Sequence, residues 1–188
     1  MTAKILSTSR IDPGARFPEH ELVTVTGVPV QIPDGERVVH LQLRRFAGCP
    51  ICNLHLRSVV QRHDEIAAAG IREVVVFHSS AEELREYQPE TPFAIVGDPD
   101  KRLYREFGVE RSPKALLDPR VWMPALRGVV HKRKPLAMDN HSGHFGLPAE
   151  FLIAADGRVV ASKYRTHAYD QWSADELHAE AAGVGAPA

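Results

Sequence analysis

The sequence lacks several features that mark particular classes of protein. It has only two cysteines in 188 residues, whereas a secreted disulfide scaffold carries more of them and spaces them widely. No run approaches the roughly 18 apolar residues of a membrane span, and the first residues contain no apolar stretch of the kind found in a secretory signal. We therefore expect a cytoplasmic protein that has no membrane partner.

An excess of charge of one sign is also missing. The chain carries 23 basic and 24 acidic side chains, which gives a formal net charge of -1. Its one basic run, HKRK at residues 131–134, is short and is interpreted as a solvated loop. No nucleic-acid partner is expected. The length and the 44% apolar content suit one domain that spans residues 1–188.

Short apolar runs and amphipathic segments alternate along most of the chain. Buried strands are predicted at residues 38–43, 73–77, 93–96, 151–153 and 158–164. One helix is predicted from Cys52 to Gly70, and two others begin at the capping boxes of Ser80 and Ser173. This order predicts an α/β fold whose sheet has parallel crossovers and ends in an antiparallel hairpin at Asp156-Gly157.

Residues 113–146 interrupt this alternation and are interpreted as an insertion before the terminal hairpin. They include Trp122, Met123 and Leu126, apolar side chains of a kind that is normally buried against the domain itself or against a partner. Three arrangements stay open: a helix packed on its own domain, a lid over the approach to the cysteines, or a contact in a homodimer.

Cys49 and Cys52 form a CxxC pair between the strand at 38–43 and the helix that follows it. The first turn of a helix has unpaired amide donors and a partial positive charge, and both stabilise a thiolate, the reactive form of cysteine. Two cysteines three residues apart can also close into a disulfide without rearranging the fold. Arg44 and Arg45 come just before the pair and can add positive potential. The motif therefore predicts redox chemistry.

Three other interpretations of the pair stay open. A purely structural disulfide would stabilise little, because that stabilisation grows with the length of the closed loop. Zinc needs four ligands, and His141 with His144 forms an HxxH pair that would complete the set, although the pairs are far apart in the chain. The third interpretation is two unrelated core cysteines. The alternative function is thus a non-catalytic redox-sensing or zinc-binding protein.

Four segments carry a family resemblance: RFPEHEL, VVHLQLRRFAGCPICNLHLRSV, IVGDPDKRLYREFGVERSP and LPAEFLIAADGRVVASKYRTHAYDQWSADEL. They cover most of residues 14–180 and resemble the peroxiredoxin-like branch of the alkyl hydroperoxide reductase and thiol-specific antioxidant family. The resemblance implies a thioredoxin-like fold with an N-terminal β-hairpin extension and a mixed central sheet flanked by helices. It also implies thiol-dependent reduction of a peroxide or disulfide without a cofactor, with a dithiol reductant such as thioredoxin as partner.

The sequence departs from the peroxiredoxin pattern at two positions, a proline and a threonine. Typical members carry P-x-x-x-T-x-x-C, which ends in the peroxidatic cysteine. Aligned on Cys52, the pattern has Arg45 at the proline position and Cys49 at the threonine position. Aligned on Cys49, it has Gln42 and Phe46 there. Neither alignment supplies the hydroxyl that orients a peroxide, whereas dithiol exchange requires only the CxxC pair.

The resemblance leaves two assignments of the nucleophile open. Thioredoxin logic makes Cys49 the attacking thiol, and the peroxiredoxin alignment gives that role to Cys52. Cys49 is preferred, because the first cysteine of a CxxC pair usually lies at the exposed edge of the helix start. Thioredoxin-like proteins carry a cis-proline that faces the pair, at the point that Pro148 occupies here. We expect Pro148 and Arg45 to line the substrate groove.

Overall fold

Strands and helices follow one another in the order that the apolar pattern predicts. The computed structural model describes residues 10–87, 91–109, 148–165 and 171–183. Its elements are β1 (His20–Val23), β2 (Pro29–Ile32), β3 (Val38–Arg44), α1 (Pro50–Gln61), α2 (His63–Ala68), β4 (Ile71–Phe77), α3 (Ala81–Tyr87), β5 (Ala94–Gly97), α4 (Arg102–Glu106), β6 (Ala149–Ile153), β7 (Val159–Tyr164) and α5 (Ala174–Ala182). The predicted insertion at residues 113–146 lies outside the described residues, and the three arrangements offered for it stay predictions.

The central sheet has five strands in the order β5-β4-β3-β6-β7. β3 pairs in parallel with β4, and β4 in parallel with β5, whereas β6 runs antiparallel to both β3 and β7. This is the mixed sheet that was predicted. Because parallel strands end at the same edge of a sheet, the segment that follows β3 meets the carboxyl ends of β4 and β5 there.

A separate two-stranded sheet forms the N-terminal hairpin that the family resemblance implies. β1 and β2 pair antiparallel, with His20 opposite Ile32. A bridge between Thr24 and Val96 and a 2.9 Å hydrogen bond from the Val25 amide to the Ile95 carbonyl join the hairpin to β5. The hairpin is thus connected to the edge of the central sheet.

The predicted single helix after the cysteines is divided in two. Residue 62 leaves the helical conformation, with φ -110° and ψ 16°, and so separates α1 from α2. The side chain of Arg62 pairs with Glu65 in the next helix and with Asp175 in α5. Ile66 of α2 is fully buried in an apolar cluster with Val59 of α1. Gly70 ends α2 at φ +75°, as the sequence predicts.

β3 is buried on both faces, and the two faces differ in character. Val39, Leu41 and Leu43 belong to the main apolar cluster, together with hairpin side chains. The alternate residues His40 and Arg44 are also buried but face the other side, where the helices α1 and α5 pack. Among the helices of the described ranges, none is long and apolar enough to cross a bilayer.

Candidate redox site

Cys49 and Cys52 lie where the chain leaves β3 and enters α1. Cys49 is the N-cap residue with φ -65° and ψ 116°, and its carbonyl accepts the first helical hydrogen bond from the Asn53 amide at 3.0 Å. Pro50 occupies the first helical position, where no amide donor is needed. Both cysteines are free thiols, and the first turn of the helix contains no acidic side chain. No carboxylate in that turn therefore offsets the partial positive charge that the dipole of α1 places beside the cysteines.

The exposure of Cys49 differs from the expectation. Its side chain is 0% exposed and that of Cys52 is 1% exposed, so the first cysteine does not lie at an exposed edge. That part of the argument for Cys49 as the nucleophile is wrong. The reason is packing: both thiols belong to an apolar cluster that includes Phe46, Leu56 and Phe77.

Arg45 brings a positive charge into contact with Cys49. Its Nη1 donates to the Cys49 Sγ over 3.7 Å, and its guanidinium lies 5.5 Å from the centre of the Phe46 ring. The arginine is itself only 5% exposed, so water screens its charge weakly. A guanidinium in this position favours the thiolate form of the sulfur that it contacts.

The two thiols are electrostatically unequal. A hydrogen bond with Cys49, together with burial, raises the pKa of Cys52 well above its usual range. The positive charges of Arg45 and Arg44 lower that pKa but do not outweigh the first two effects. Cys52 therefore keeps its proton at neutral pH.

Pro148 lies at the same sheet edge as the cysteines. It is buried and directly precedes β6, in which Ala149 pairs with Leu43 near the end of β3. Its carbonyl accepts a 3.2 Å hydrogen bond from the Arg165 amide. The bond between residues 147 and 148 falls outside the described residues, so the cis expectation stays a prediction. In the described part of the chain, the cis X–Pro bond is Ile32–Pro33.

Of the residues considered for a zinc site, the structure describes Cys49 and Cys52 at the start of α1. His141 and His144 lie outside it. A different group of possible ligands, Glu65, Asp175 and His178, lies on the surface between α2 and α5. The Arg62 guanidinium binds both carboxylates of that group, at 2.5 and 2.8 Å, and so occupies the place of a cation.

Sequence reasoning missed a buried ionic cluster beneath α1. It consists of His40 and Arg44 from β3, Glu73 from β4, Glu150 from β6 and Arg165 after β7, all at most 3% exposed. Charged side chains are almost never buried so completely unless they are paired. The signal was present in the alternation of polar residues at positions 40, 42 and 44 of a strand predicted to be buried.

His40 connects the two carboxylates of this cluster. Its Nδ1 is 3.0 Å from Glu73, and its Nε2 is 3.8 Å from Glu150. Burial alone lowers the pKa of the imidazole, but Glu73 and Glu150 outweigh it and raise the pKa to about 9. Burial alone likewise raises the pKa of Glu150, but the cations around it, Arg165 first, hold that pKa well below its usual range. Both groups are therefore charged at neutral pH.

His55 lies one turn after Cys52, and its neutral ring connects Arg44 to the Trp172 carbonyl. Its Nε2 donates to the Trp172 carbonyl over 2.8 Å, and its Nδ1 accepts from the Arg44 Nη2 over 2.9 Å. Burial and the charge of Arg44 lower the pKa of His55 to about 3. The ring therefore stays neutral and fixes the guanidinium of Arg44, rather than adding positive charge beside Cys52.

The topology and site together define a class of protein. The mixed five-stranded sheet and the N-terminal hairpin form a thioredoxin-like fold, and the CxxC pair lies at the start of its first helix. The chain belongs to the AhpC/TSA antioxidant enzyme family, whose model matches residues 58–167, more than half of the sequence. The matched segment begins after Cys52, so membership does not depend on the cysteines. No curated protein sequence matches the chain.

Solved structures of low sequence identity share the fold. Peroxidoxin BcpB from Mycobacterium tuberculosis is 15% identical with a TM-score of 0.69, over 94% of this chain and 100% of that one. A variant of peroxiredoxin 6 from Arenicola marina is 16% identical with a TM-score of 0.69, over 93% and 73%. A Chlorobium tepidum protein assigned as thiol:disulfide interchange protein DsbE is 21% identical with a TM-score of 0.57, over 92% and 98%.

Proposed function

We propose that the protein is a thiol-dependent oxidoreductase in which Cys49 and Cys52 cycle between a dithiol and a disulfide. The observation that carries the proposal is the arrangement at the start of α1. Cys49 is the N-cap residue, Cys52 follows in the first turn, and the two thiols share a hydrogen bond. Membership in a family of antioxidant enzymes supports the same chemistry.

Cys49 is the attacking thiol in this proposal. Its thiolate attacks one sulfur of a substrate disulfide and displaces the other sulfur as a thiolate. Cys52 then loses its proton and attacks the Cys49 sulfur, which releases the second substrate sulfur. The substrate gains two electrons, one proton from Cys52 and one proton from solvent, and leaves as two thiols, while the protein keeps a Cys49–Cys52 disulfide. A dithiol reductant such as thioredoxin restores the starting state.

A peroxide is the second candidate oxidant. Attack on its O–O bond would leave a sulfenic acid on Cys49 and release water or an alcohol, and Cys52 would then displace water to give the same disulfide. The residues aligned with the peroxide-orienting threonine, Cys49 or Phe46, have no hydroxyl. We therefore propose disulfide exchange as the main activity and peroxide reduction as the slower one.

The substrate groove is proposed to include Arg45 and Pro148. Arg45 contacts the Cys49 sulfur, and Pro148 precedes β6 at the sheet edge where β3 ends. Replacing Pro148 with alanine is expected to raise KM for a disulfide substrate several-fold. The rate at which iodoacetamide alkylates Cys49 is expected to stay the same, because the reagent does not need the groove. Steady-state kinetics and mass spectrometry measure the two quantities.

Turnover with a dithiol reductant tests the proposal. The wild type, Cys49→Ser and Cys52→Ser are each given hydrogen peroxide with dithiothreitol to measure turnover. In a separate arm, the reduced proteins are mixed with 5,5′-dithiobis(2-nitrobenzoate) alone, because dithiothreitol would reduce that reagent and any mixed disulfide directly. The wild type is expected to turn over, Cys49→Ser to be inactive, and Cys52→Ser to stop at a mixed disulfide seen by mass spectrometry. Zinc that stays bound to a wild type without turnover would instead favour the non-catalytic alternative.

A further inference from the structure

A cavity lies at the edge of the central sheet, beside the start of β4. β5 pairs with β4 only from Val74 onward, so residues 71–73 of β4 extend past the end of β5. The space beside them measures about 330 Å³, and its lining also comes from the hairpin turn at residues 24–28, from α2 and from the segment before β5. A cavity of this volume is at the lower end of the range for sites that bind small molecules.

The charged lining of the cavity is cationic. Arg37 and Arg72 both line it, and both bind one carboxylate, that of Asp34, at 3.2 and 2.5 Å. Within the described residues, two guanidinium groups therefore share one carboxylate, and one positive charge remains for a ligand. Arg72 reaches Asp34 through Nη1, which leaves the other donors of its planar fork for a second carboxylate.

Glu73 also lines the cavity, but its carboxylate is withdrawn from it. The side chain is 0% exposed, accepts a hydrogen bond from Gln42 and lies 3.0 Å from the Nδ1 of His40. Because His40 is protonated at neutral pH, the pair of Glu73 and His40 carries no net charge. Glu73 therefore does not cancel the positive charge of the two arginines.

Apolar and aromatic side chains form much of the remaining lining. Phe93 is partly buried, and its ring centre lies 5.9 Å from that of His63. Val28, in the hairpin turn, is 55% exposed, although most large apolar side chains of the described residues are buried. A ligand with an apolar body covers part of Phe93 and Val28, and the removal of that apolar surface from water stabilises the complex.

We propose that the cavity is a binding site for a small aromatic carboxylic acid. The carboxylate binds Arg37 and Arg72, because guanidinium donors match a carboxylate in geometry and charge, and the ring packs on Phe93 and Val28. Two cations next to an aromatic wall favour such a ligand over an inorganic anion, which has no apolar body. They also favour it over a neutral aromatic molecule, which has no charge.

The site is separate from the two cysteines. It lies at the amino end of β4, whereas Cys49 and Cys52 follow the carboxyl end of β3, which runs parallel to β4. The seven residues of β4 span about 20 Å. The acid is therefore a ligand held away from the redox site and not a substrate of Cys49, so the inference does not depend on the proposed dithiol cycle.

Titrations followed by ¹H–¹⁵N NMR test the binding and its location. The probes are 3-phenylpropionate, its neutral amide 3-phenylpropionamide, and inorganic phosphate. The acid is expected to bind with a Kd of about 1 mM or below and to shift the amide signals of Arg72 and Phe93. The neutral amide and phosphate are expected to bind at least about tenfold more weakly, because each lacks one of the two features that the cavity matches.

Two pairs of variants separate the site from the rest of the surface. Arg72→Met is expected to weaken binding of 3-phenylpropionate about tenfold, whereas Arg105→Met, at an exposed arginine bonded to the Asp100 carbonyl, leaves it within about twofold. Ala67→Leu adds bulk to the cavity lining from α2 and is expected to weaken binding at least about fivefold. Ala68→Leu, at the next exposed residue of the helix, is the control and is expected to leave binding unchanged.

Three results would overturn the inference. One is a titration with 3-phenylpropionate that shifts no amide signal of the cavity residues. Another is an equal affinity for the acid and for either of the other two probes. The third is equal weakening by Ala67→Leu and Ala68→Leu, because a site elsewhere does not distinguish these positions. If Arg72→Met does not fold, the two alanine variants decide, since both positions are exposed on α2.

Discussion

The two cysteines are the same chemical group, and only their surroundings make them different. Cys49 lies at the N-cap of α1 in contact with Arg45, whereas Cys52 is a residue of the first turn and donates its proton toward Cys49. A helix start supplies amide donors mainly to the residue at its edge. The proposed roles of Cys49 as attacking thiol and Cys52 as resolving thiol thus depend on three neighbouring residues, Arg45, Cys49 and Cys52.

The contact between Arg45 and Cys49 gives a prediction for reactivity. Arg45→Met is expected to raise the pH midpoint of Cys49 alkylation by about 1 unit, because a cation within reach of a thiolate lowers its pKa by about that much. Arg45→Lys should restore most of the difference. Arg105→Met, which changes an exposed arginine bonded to the Asp100 carbonyl, is the matched control and should leave the midpoint unchanged. An equal shift in the control would remove the specific role of Arg45.

His40 gives a prediction for stability. Its pKa is about 9 in the folded protein and about 6.5 in the unfolded chain, so the folded state binds the proton more tightly. The resulting stabilisation is fully present below pH 6.5 and is lost as the pH rises through 9. It amounts to about 3 kcal/mol at most, from about 1.4 kcal/mol per pKa unit.

Urea unfolding at pH 6, 7.5 and 9.5 measures this effect. The free energy of unfolding of the wild type is expected to fall over this range relative to that of His40→Gln, in which position 40 does not titrate. Because the thiols titrate in both proteins, the difference between their free energies of unfolding reports the titration of His40. If the free energies of unfolding of the two proteins change equally with pH, the protonation of His40 is not linked to folding.

At the level of elements, the apolar periodicity of the sequence predicted where strands and helices lie better than it predicted which residues pair across the sheet. β3 was correctly predicted as a buried strand at residues 38–43, and the capping boxes at Ser80 and Ser173 are present. The buried cluster was not predicted, because it depends on register across three strands. His40 pairs with Glu73 on one side of β3, and Gln42 pairs with Glu150 on the other. A single sequence does not fix such long-range pairings.

The short helix α4 depends on Asp98 for its first turn. The two carboxylate oxygens accept from the amides of Arg102 and Leu103, each at 2.9 Å. The helix in turn positions Tyr104, whose hydroxyl bonds to carbonyls at the ends of β3 and β4. Asp98 lies three residues before the N-cap, Lys101, but its carboxylate accepts from first-turn amides as a capping side chain does. Asp98→Ala is therefore expected to lower the free energy of unfolding by about 1–2 kcal/mol, the cost of losing a cap.

Asp98→Asn provides the matched control for that change. It keeps an oxygen that can accept from one amide, so it is expected to lose at most half as much free energy of unfolding as Asp98→Ala. Denaturant unfolding measures both variants. If the alanine and asparagine proteins are equally stable, the carboxylate does not act as a cap.

On the scale of the whole molecule, the hairpin and the central sheet share one core. Val30 and Ile32 from β2 and Phe17 before β1 are at most 2% exposed and belong to the same cluster as β3 and β6. The Phe17 ring lies 4.9 Å from that of Phe107 and 5.8 Å from that of Phe151. We therefore propose that the hairpin is part of the domain rather than an appendage, in agreement with the single domain expected from the sequence.

Truncating Phe17 tests whether the hairpin and the central sheet unfold together. Phe17→Ala is expected to lower the free energy of unfolding by about 3–5 kcal/mol, because it removes a fully buried ring from contact with two others. Val23→Ala, in the same hairpin but 59% exposed, is expected to change it by less than about 0.5 kcal/mol. Tryptophan fluorescence and far-ultraviolet circular dichroism should give one coincident transition for each protein. An early separate transition in Phe17→Ala, with the main transition unmoved, would mean that the hairpin unfolds alone and that the central sheet is stable without it.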